Sequence, residues 1–387
     1  MRIAILGGGI SGLALAYYLS NSLAKVTVYE QGKPGGVIDT YQGEFFFEKG
    51  PRTFAASRCP ELLALINELG LSHDLIYADP QTRYILYNDK LCSLKSMIAR
   101  AICKGAIRMP QKKRGEETVD AFARRRFGSW VAENLVDPMT LGIFATPAKD
   151  LSFDACFPKR KKTRKDPRLF TLKSGMHTLI TSLIEKGNFD IVTKRIDSLD
   201  VDADEIISTL PAYELERITG DARFGQIPYA GLKVINLAYE QAVLKKQGFG
   251  YLIPSHVGSN ALGVVFDSSI FPEQNRSRET RLSVMLKSEG TLEDALEAVS
   301  VHLGIDAKPH VLINDYPQAI PQMGLGHSPL VEAVQATSSI ALAGSWVSGP
   351  AVNSCIKYST ALRASDKSAL LRAITIGSAL NDCSNAD

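Results

Sequence analysis

The sequence has few cysteines, and their positions do not suit metal binding or disulfide bonding. Six cysteines are spread over 387 residues without a CxxC pair, and the six histidines show neither HxH nor HxxxH spacing. Zinc sites and small disulfide frameworks depend on such close spacing. We therefore expect no metal site, and reduced thiols in a cytosolic compartment.

The chain as a whole also lacks a charge excess and a long unbroken apolar run. It has 44 Lys and Arg against 41 Asp and Glu, a net charge of +3, which argues against a general nucleic-acid binder. The uncharged runs 3–19 and 333–356 are interrupted by glycines or polar residues. We therefore predict neither a secretory signal nor a transmembrane helix. The length suggests two or three soluble domains.

One segment does carry a strong charge excess. Residues 95–168 contain 18 basic and 8 acidic residues, a local net charge of +10, which leaves −7 for the rest of the chain. Its charge run KRKKTRKD (159–166) is interpreted first as a solvated loop and second as a site attracted to anionic lipid. ARRRFGSW (123–130) is typical of an interfacial helix.

Glycines follow the first predicted strand at the spacing of a dinucleotide-binding turn. The strand RIAIL (2–6) leads into Gly7-Gly8-Gly9-Ile10-Ser11-Gly12, and an apolar helix follows. The first glycine of this GxGxxG pattern permits a tight turn, the second leaves room for a pyrophosphate, and the third lets the helix pack closely. Glu30 ends the next strand, where a carboxylate can accept hydrogen bonds from ribose hydroxyls.

A second glycine pair bears on whether the nucleotide is FAD or NAD. Gly35-Gly36 follows Glu30 closely, and by itself it fits a flavin-side loop or a plain turn equally well. The late strand IALAG (340–344) favours FAD, because it would return beside the first strand to close a flavin site.

Other periodic segments predict local structure. Residues 59–71 are predicted to form a helix, and 83–94 a hairpin with Asn-Asp at its turn. A helix is predicted from about Asn353 to residue 374, with Asn353 as its own cap.

These segments together resemble the oxygen-dependent protoporphyrinogen oxidase family, within the flavin amine oxidase superfamily. The similarity extends along nearly the whole chain. The matching segments are GGGISGLALAYYL (7–19), EKGPRTF (48–54), GEETVDAFARRRFG (115–128), GFGYLIPS (248–255), ALGVVFDSSIFPEQ (261–274), IPQMGLGH (320–327) and LAGSWVSGPAVNSCI (342–356).

The resemblance implies an α/β fold with a Rossmann-like FAD-binding domain, an interleaved α+β substrate domain and a helical membrane-facing insert. We expect the FAD-binding domain to comprise 1–75, 169–215 and 335–375, and the substrate domain 76–94 and 216–334. The basic helical insert would be 95–168 and a flexible tail 376–387.

The resemblance also implies site residues. The residues expected to hold FAD are Gly7, Gly8, Gly9, Ile10, Ser11, Gly12, Glu30, Gln31, Gly35, Gly36, Val37, Gly50, Pro51, Arg52, Thr53, Val192, Ser345, Pro350, Ala351 and Val352. Arg83 matches an arginine that faces a substrate propionate, and Phe249, Leu252 and Val265 match apolar residues that sandwich the tetrapyrrole. The chemistry would take place at flavin N5, so no catalytic side chain is assigned.

The expected activity is oxidation of protoporphyrinogen IX to protoporphyrin IX in haem biosynthesis, with O2 as the acceptor. Oxidation of coproporphyrinogen III remains the nearest alternative, and a flavin amine oxidase or a non-catalytic flavin-binding scaffold are alternatives of another class. The expected partners are the porphyrinogen, O2, the anionic inner face of the cell membrane, ferrochelatase and a second copy of the chain. Nucleic acid is not expected.

Overall fold

The computed structural model describes residues 1–20, 23–105, 115–158 and 166–364. Residues 159–165 of the charge run, the end of the predicted C-terminal helix and the predicted tail 376–387 lie outside the described residues.

Strands occur from the beginning to near the end of the described chain. They are β1 (Arg2–Leu6), β2 (Lys25–Glu30), β3 (Thr40–Gln42), β4 (Phe46–Glu48), β5 (Phe54–Ala55), β6 (Leu75–Ala78), β7 (Arg83–Tyr87), β8 (Lys90–Ser93), β9 (Leu169–Leu172), β10 (Asp190–Thr193), β11 (Glu205–Ser208), β12 (Tyr229–Tyr239), β13 (Gly250–Leu252), β14 (Ala261–Val265), β15 (Thr280–Lys287), β16 (His310–Pro321) and β17 (Ala341–Leu342).

Helices connect and cover these strands. They are α1 (Ile10–Ser20), α2 (Pro60–Glu68), α3 (Leu94–Cys103), α4 (Val119–Phe127), α5 (Ser129–Val131), α6 (Asp137–Phe144), α7 (Phe153–Cys156), α8 (His177–Lys186), α9 (Ala212–Thr219), α10 (Ala222–Gly225), α11 (Asp267–Ile270), α12 (Leu292–Leu303), α13 (His327–Thr337), α14 (Ser345–Ser348) and α15 (Val352–Ala364).

A five-stranded parallel sheet contains the two strands that flank the glycine turn. Its order is β10-β2-β1-β11-β17, and every neighbouring pair is parallel. The late strand β17 therefore pairs with β11, and the prediction that it lies beside the first strand was wrong. These strands fall within the three ranges predicted for the FAD-binding domain. Every residue of α1 after Ile10 is buried, because the sheet, α8 and α15 enclose this helix. That burial explains why α1 is apolar on all sides.

A seven-stranded mixed sheet lies within the ranges predicted for the substrate domain. Its order is β16-β12-β15-β14-β13-β7-β8, and only the β13–β7 pair is parallel. One face packs on α12, which starts with a capping box between Thr291 and Asp294 and stops at Gly304. The hairpin β7–β8 turns at Asn88 and Asp89, both with positive φ, as predicted from the sequence.

The described part of the basic segment is helical and covers the other face of this sheet. Met97 of α3 and Val131 of α5 pack against Ile85 of β7. Farther along, α6 lies against β13 and β14. No helix within the described residues combines the length and the apolarity that crossing a membrane requires.

A buried polar seam joins strand β4 and the loop after it to the seven-stranded sheet. The Arg52 guanidinium donates to Ser283 Oγ and lies 3.3 Å from Asp267 Oδ1. Ser283 Oγ is also 2.7 Å from Asp267 Oδ2 and 2.6 Å from Asn236 Oδ1. The Arg281 guanidinium donates to Phe46 O at 2.9 Å. The seam therefore fixes the 46–52 segment on β12 and β15.

Glu48, at the end of β4, has a strongly raised pKa. It is 5% exposed, and its Oε1 accepts the Met176 N–H at 2.8 Å while its Oε2 accepts the Thr40 hydroxyl at 2.9 Å. Burial raises the pKa of Glu48 to about 7, and the Met176 and Thr40 hydrogen bonds and the Arg52 charge offset only part of that rise. The seam thus holds a carboxyl group that is half protonated near neutral pH.

We predict that Glu48→Gln removes part of the pH dependence of stability. Because the pKa of Glu48 rises on folding from 4.5 to about 7, the folded protein binds an additional proton between these values. The free energy of unfolding therefore falls as pH rises through that window. This contribution is about 3 kcal/mol.

Urea denaturation at about pH 5 and about pH 8 measures this contribution. The native protein should lose more stability between the two conditions than Glu48→Gln does. Glu68→Gln, an exposed glutamate of α2, is the control and should behave like the native protein. Equal losses in the native protein and Glu48→Gln would contradict the assignment.

Candidate cofactor and substrate site

The glycine turn after β1 has the geometry that its spacing predicts. Gly7 has a φ of +99°, and its N–H donates to Tyr29 O at 2.8 Å. A Cβ built on Gly12 would lie 2.0 Å from Gly7 O, so the helix can approach the turn this closely only with glycine at position 12. The turn delivers the N-terminus of α1, with its unpaired N–H groups, to the carboxyl edge of the five-stranded sheet.

The second glycine loop lies directly against the first. Gly35 N–H donates to Gly8 O at 2.8 Å, and a Cβ on Gly36 would be 3.4 Å from Gly9 Cα. A Cβ on Gly9 would meet no atom within 4 Å. Gly9 therefore faces open space beside the helix N-terminus, in the place where the motif leaves room for a pyrophosphate.

Glu30 is positioned at the end of β2 by two backbone donors. Its Oε2 accepts the Gly8 N–H at 2.7 Å and its Oε1 accepts the Gly32 N–H at 3.0 Å. Each carboxylate oxygen retains a further lone pair for a ribose hydroxyl. Gln31, the next residue, is exposed at the same corner.

The Gly50–Thr53 loop comes next to the second glycine loop. A Cβ on Gly50 would lie 1.9 Å from Val37 O, so this contact requires glycine. Pro51 and Thr53 are half-buried in the loop. The Arg52 side chain is directed into the polar seam, where it contacts Asp267 and Ser283. Only those atoms of Arg52 that are not bonded in the seam would be free to contact a cofactor.

The remaining predicted cofactor residues are distributed along the same sheet edge. Val192 lies on β10, opposite Tyr29 in register. Ser345 begins α14 just beyond β17, and the Pro350–Val352 segment leads into α15. The Ser359 hydroxyl of α15 donates to Ser11 O at 3.0 Å, which ties this last segment to the glycine turn.

Thr209 is a site-forming residue that the sequence analysis did not identify. Its hydroxyl lies 2.9 Å from Leu6 O and 3.0 Å from Gly7 O. A Cβ on Gly344 would be 3.0 Å from Thr209 O. Thr209 therefore supports the glycine turn and the late strand at once. Its position directly after strand β11 is the signal that would have found it.

The residues at this edge fit a bound dinucleotide such as FAD. The open space at Gly9, the free N–H groups of α1 and the Glu30 carboxylate would hold the pyrophosphate and a ribose. The Gly50–Thr53 and Ser345–Val352 segments would meet the flavin end.

The predicted substrate residues share one face of the seven-stranded sheet. Arg83 pairs in register with Gly250, which pairs with Val265. Leu252 lies two residues beyond Gly250 and points to the same face. There it packs beneath α6, since a Cβ on Gly142 would be 2.5 Å from Leu252 Cδ2.

Arg83, Phe249 and Val265 are brought together at one end of this face. Phe249 and Val265 pack in a cluster with Ile76, Leu169 and Phe271. The Arg83 Cζ is 4.9 Å from the Phe249 ring centroid, a cation–π contact. Partial desolvation lowers the pKa of Arg83, and the Arg58 charge lowers it further. Arg83 thus presents a cation above an apolar surface.

Asn353 does not cap its own helix as predicted. It lies within α15, where its Oδ1 accepts the Leu62 N–H at 3.0 Å and its Nδ2 donates to Glu61 Oε2 at 2.6 Å. It therefore caps the start of α2, a different helix. Cys355 is buried, and burial raises the pKa of its thiol, as an inert core cysteine requires.

One group of potential metal ligands lies elsewhere in the described part of the chain. Oxygen and nitrogen atoms of Glu44, Glu240 and His310 lie within 4.8 Å of one another. Both glutamates are well exposed, and the two His310 nitrogens face different carboxylates at 3.5 and 3.6 Å. This arrangement is that of surface contacts between one histidine and two glutamates.

A family model described as "Flavin containing amine oxidoreductase" matches residues 10–365 of the chain. Protoporphyrinogen oxidase of Bos taurus is 29% identical over 92% of this chain and 96% of its own length.

Solved structures show the same fold. A provisionally assigned protoporphyrinogen oxidase from Exiguobacterium superposes with a TM-score of 0.82 at 19% identity, over 96% of this chain and 99% of that one. Cyclohexylamine oxidase from Brevibacterium oxydans superposes with a TM-score of 0.71 at 13% identity, over 97% of this chain and 99% of that one. The predicted resemblance and the flavin cofactor are confirmed.

We predict that Gly9→Ala weakens FAD binding without destabilising the apoprotein. The added Cβ meets no protein atom within 4 Å, so it would occupy only the space assigned to the pyrophosphate. Loss of the close backbone contact to a charged phosphate should weaken binding about tenfold or more. Thermal unfolding of the apoprotein and a flavin fluorescence titration measure the two effects.

Gly12→Ala is the comparison variant. Its Cβ would meet Gly7 O at 2.0 Å, so it should lower the stability of the apoprotein itself. Unchanged FAD affinity in Gly9→Ala, or a stability loss as large as that of Gly12→Ala, would contradict the assignment of the pyrophosphate site.

Proposed function

The chain belongs to the flavin containing amine oxidoreductase family and is an FAD-dependent oxidoreductase, and we propose that it oxidises protoporphyrinogen IX. The observation that supports this substrate is the apolar cluster of Phe249 and Val265 with the Arg83 guanidinium beside it. A porphyrinogen is an apolar disc with carboxylates at its edge, and it requires such a combination of surfaces. The relative in Bos taurus bears the name of this activity.

The proposed reaction removes six electrons and six hydrogens in three two-electron oxidations. Three O2 molecules accept them and leave as three H2O2, so that atoms and electrons balance. Bound FAD supplies the redox chemistry, which the side chains of the protein cannot supply.

The protein's contribution is to bind and orient. The Phe249 and Val265 surface would hold the disc, and Arg83 would hold a propionate through two parallel hydrogen bonds. The segment from Gly50 to Ala55 links this surface to the cofactor residues, because Ala55 packs in the same cluster as Phe249. No acid–base pair is assigned, since protons from the pyrrole nitrogens can pass to water or to the propionates.

Coproporphyrinogen III is the nearest alternative substrate. It carries four propionates where protoporphyrinogen carries two, so its site should offer more cations. Amine oxidation is the alternative of another class, and the fold of cyclohexylamine oxidase shows that this architecture also hosts amine chemistry. A comparison of the three substrates distinguishes these functions.

We predict that the FAD-loaded protein oxidises protoporphyrinogen with a higher kcat/KM than coproporphyrinogen, as measured by porphyrin fluorescence. Arg83→Gln should raise KM about tenfold, because it removes one charge-assisted contact, and it should leave the FAD content unchanged. Arg223→Gln, which removes a partly exposed arginine paired with Asp221, is the control and should leave KM unchanged.

Two outcomes would contradict the proposal. The absence of turnover with either porphyrinogen would reject porphyrinogen oxidation, and faster turnover of coproporphyrinogen would select the alternative. Loss of FAD from Arg83→Gln would show that Arg83 supports the fold instead of the substrate.

We further propose that the helical segment rests on the anionic inner face of the cell membrane, and that the protein is otherwise cytoplasmic. Ile98 and Ile102 lie one turn apart on α3 and are 47% and 57% exposed, and Met139 and Ile143 of α6 are 46% and 50% exposed. Both helices cover the same face of the seven-stranded sheet. Exposed apolar side chains on a basic segment are typical of membrane-surface helices.

We predict that replacing both Ile98 and Ile102 with Ser weakens binding to anionic vesicles about tenfold or more, because each buried isoleucine contributes to membrane affinity. Vesicle co-sedimentation measures the change. Replacing Val311 and Ile313 of the edge strand β16 with Ser is the control, since these are also exposed apolar side chains. Equal effects of the two double variants, or no effect of the first, would reject the proposed surface.

A further inference from the structure

Two arginines beside the apolar cluster have no carboxylate partner within the described residues. Arg83 contacts the Phe249 ring at 4.9 Å and forms no side-chain hydrogen bond or ion pair there. Arg58 ends the 3-10 turn Ala56–Arg58, and it too lacks such a partner within the described residues. Both side chains are exposed to solvent. The two positive charges therefore remain without a counter-charge in this part of the protein.

The turn that carries Arg58 adjoins the substrate face. Ala55, directly before the turn, packs with Phe249 and Val265. The turn itself is held by the Ala56 N–H, which donates to Arg168 O at 3.0 Å, and by the Ser57 N–H, which donates to Asp166 O at 3.1 Å. Although Arg83 is exposed overall, partial desolvation lowers the pKa of its guanidinium, and the Arg58 charge lowers it further. The Arg58 charge therefore acts unfavourably on the Arg83 guanidinium.

Arg168 shows how a third arginine on this side of the molecule is neutralised. Its Cζ lies 4.5 Å from the Tyr77 ring centroid, and its Nη2 lies 2.8 Å from Asp166 Oδ2. It therefore has both an aromatic surface and a carboxylate. Arg83 has the aromatic surface alone, and the neighbouring charge that it does have is of the same sign. A carboxylate from outside the chain would remove this repulsion.

We infer that Arg58 is a second carboxylate anchor of the substrate site and acts together with Arg83. This inference rests on the proposed function and names a specificity residue for it. The recognised class is a tetrapyrrole with carboxylate side chains along one edge, whose apolar face lies on Phe249. Guanidinium groups suit this role, because their planar donors match carboxylate geometry.

The test compares substrates with and without carboxylates. Arg58→Gln should raise KM for protoporphyrinogen about tenfold, the loss expected from one charge-assisted contact. The variant should leave KM for protoporphyrinogen dimethyl ester unchanged, because the ester has no carboxylate to lose. Arg58→Lys should recover part of the affinity through its retained charge. Fluorescence titration of the product protoporphyrin should show the same loss of affinity in Arg58→Gln.

Arg168→Gln is the matched control, because it removes a nearby arginine that already has a carboxylate partner. It should leave KM for both substrates unchanged. An equal rise of KM for acid and ester in Arg58→Gln, or no rise for either, would overturn the inference while turnover by the native protein upheld the proposed function. If the native protein oxidised neither porphyrinogen, the proposed function itself would fail, and the protoporphyrin titration would then decide whether Arg58 binds carboxylates.

Discussion

The geometry of the site depends on the buried polar seam between the nucleotide-binding part and the seven-stranded sheet. Arg52 belongs to the loop beside the glycine turns, yet its guanidinium is bound by Ser283 of strand β15 and by Asp267 of the short helix α11. Buried ion pairs of this kind add little net stability, because both charges lose their hydration. Their orientation requirements are strict, however, and they leave few alternative registers. We therefore propose that the seam fixes the position of the cofactor residues relative to the proposed substrate face.

In this arrangement the cofactor and the protein have different functions. FAD supplies the redox chemistry, and the protein supplies a dinucleotide cradle, an apolar surface and cations at its edge. The cradle depends on close backbone contacts at Gly12 and Gly50, where a Cβ would collide with a carbonyl oxygen. The proposed substrate surface depends on Phe249 and on arginines that the described part of the chain leaves without counter-charges. Such a site would select substrates by their shape and by the charges at their edge. Changes in these surface residues would let the same fold bind either porphyrinogens or amines.

The sequence predicted the parts of this site that local patterns determine. The glycine turn, Glu30 at the end of β2 and the hairpin turn at Asn88 follow from short motifs, because neighbouring residues alone decide their conformation. The seam could not be predicted, since Arg52 and Asp267 are 215 positions apart and an isolated buried ion pair has no sequence signature. The prediction that Asn353 caps its own helix was wrong for the same reason, because Asn353 caps the distant helix α2. Likewise, the turn Ala56–Arg58 adjoins the proposed substrate face only because Ala55 packs against the distant Phe249.

The most direct test of the account is an anaerobic mixing experiment with the FAD-loaded protein and protoporphyrinogen. We expect that flavin absorbance is lost on mixing, that porphyrin fluorescence increases in parallel, and that admission of air restores the flavin absorbance. Flavin absorbance that stays unchanged on mixing, in protein shown to retain its FAD, would contradict the claim that the substrate face delivers a porphyrinogen to the cofactor.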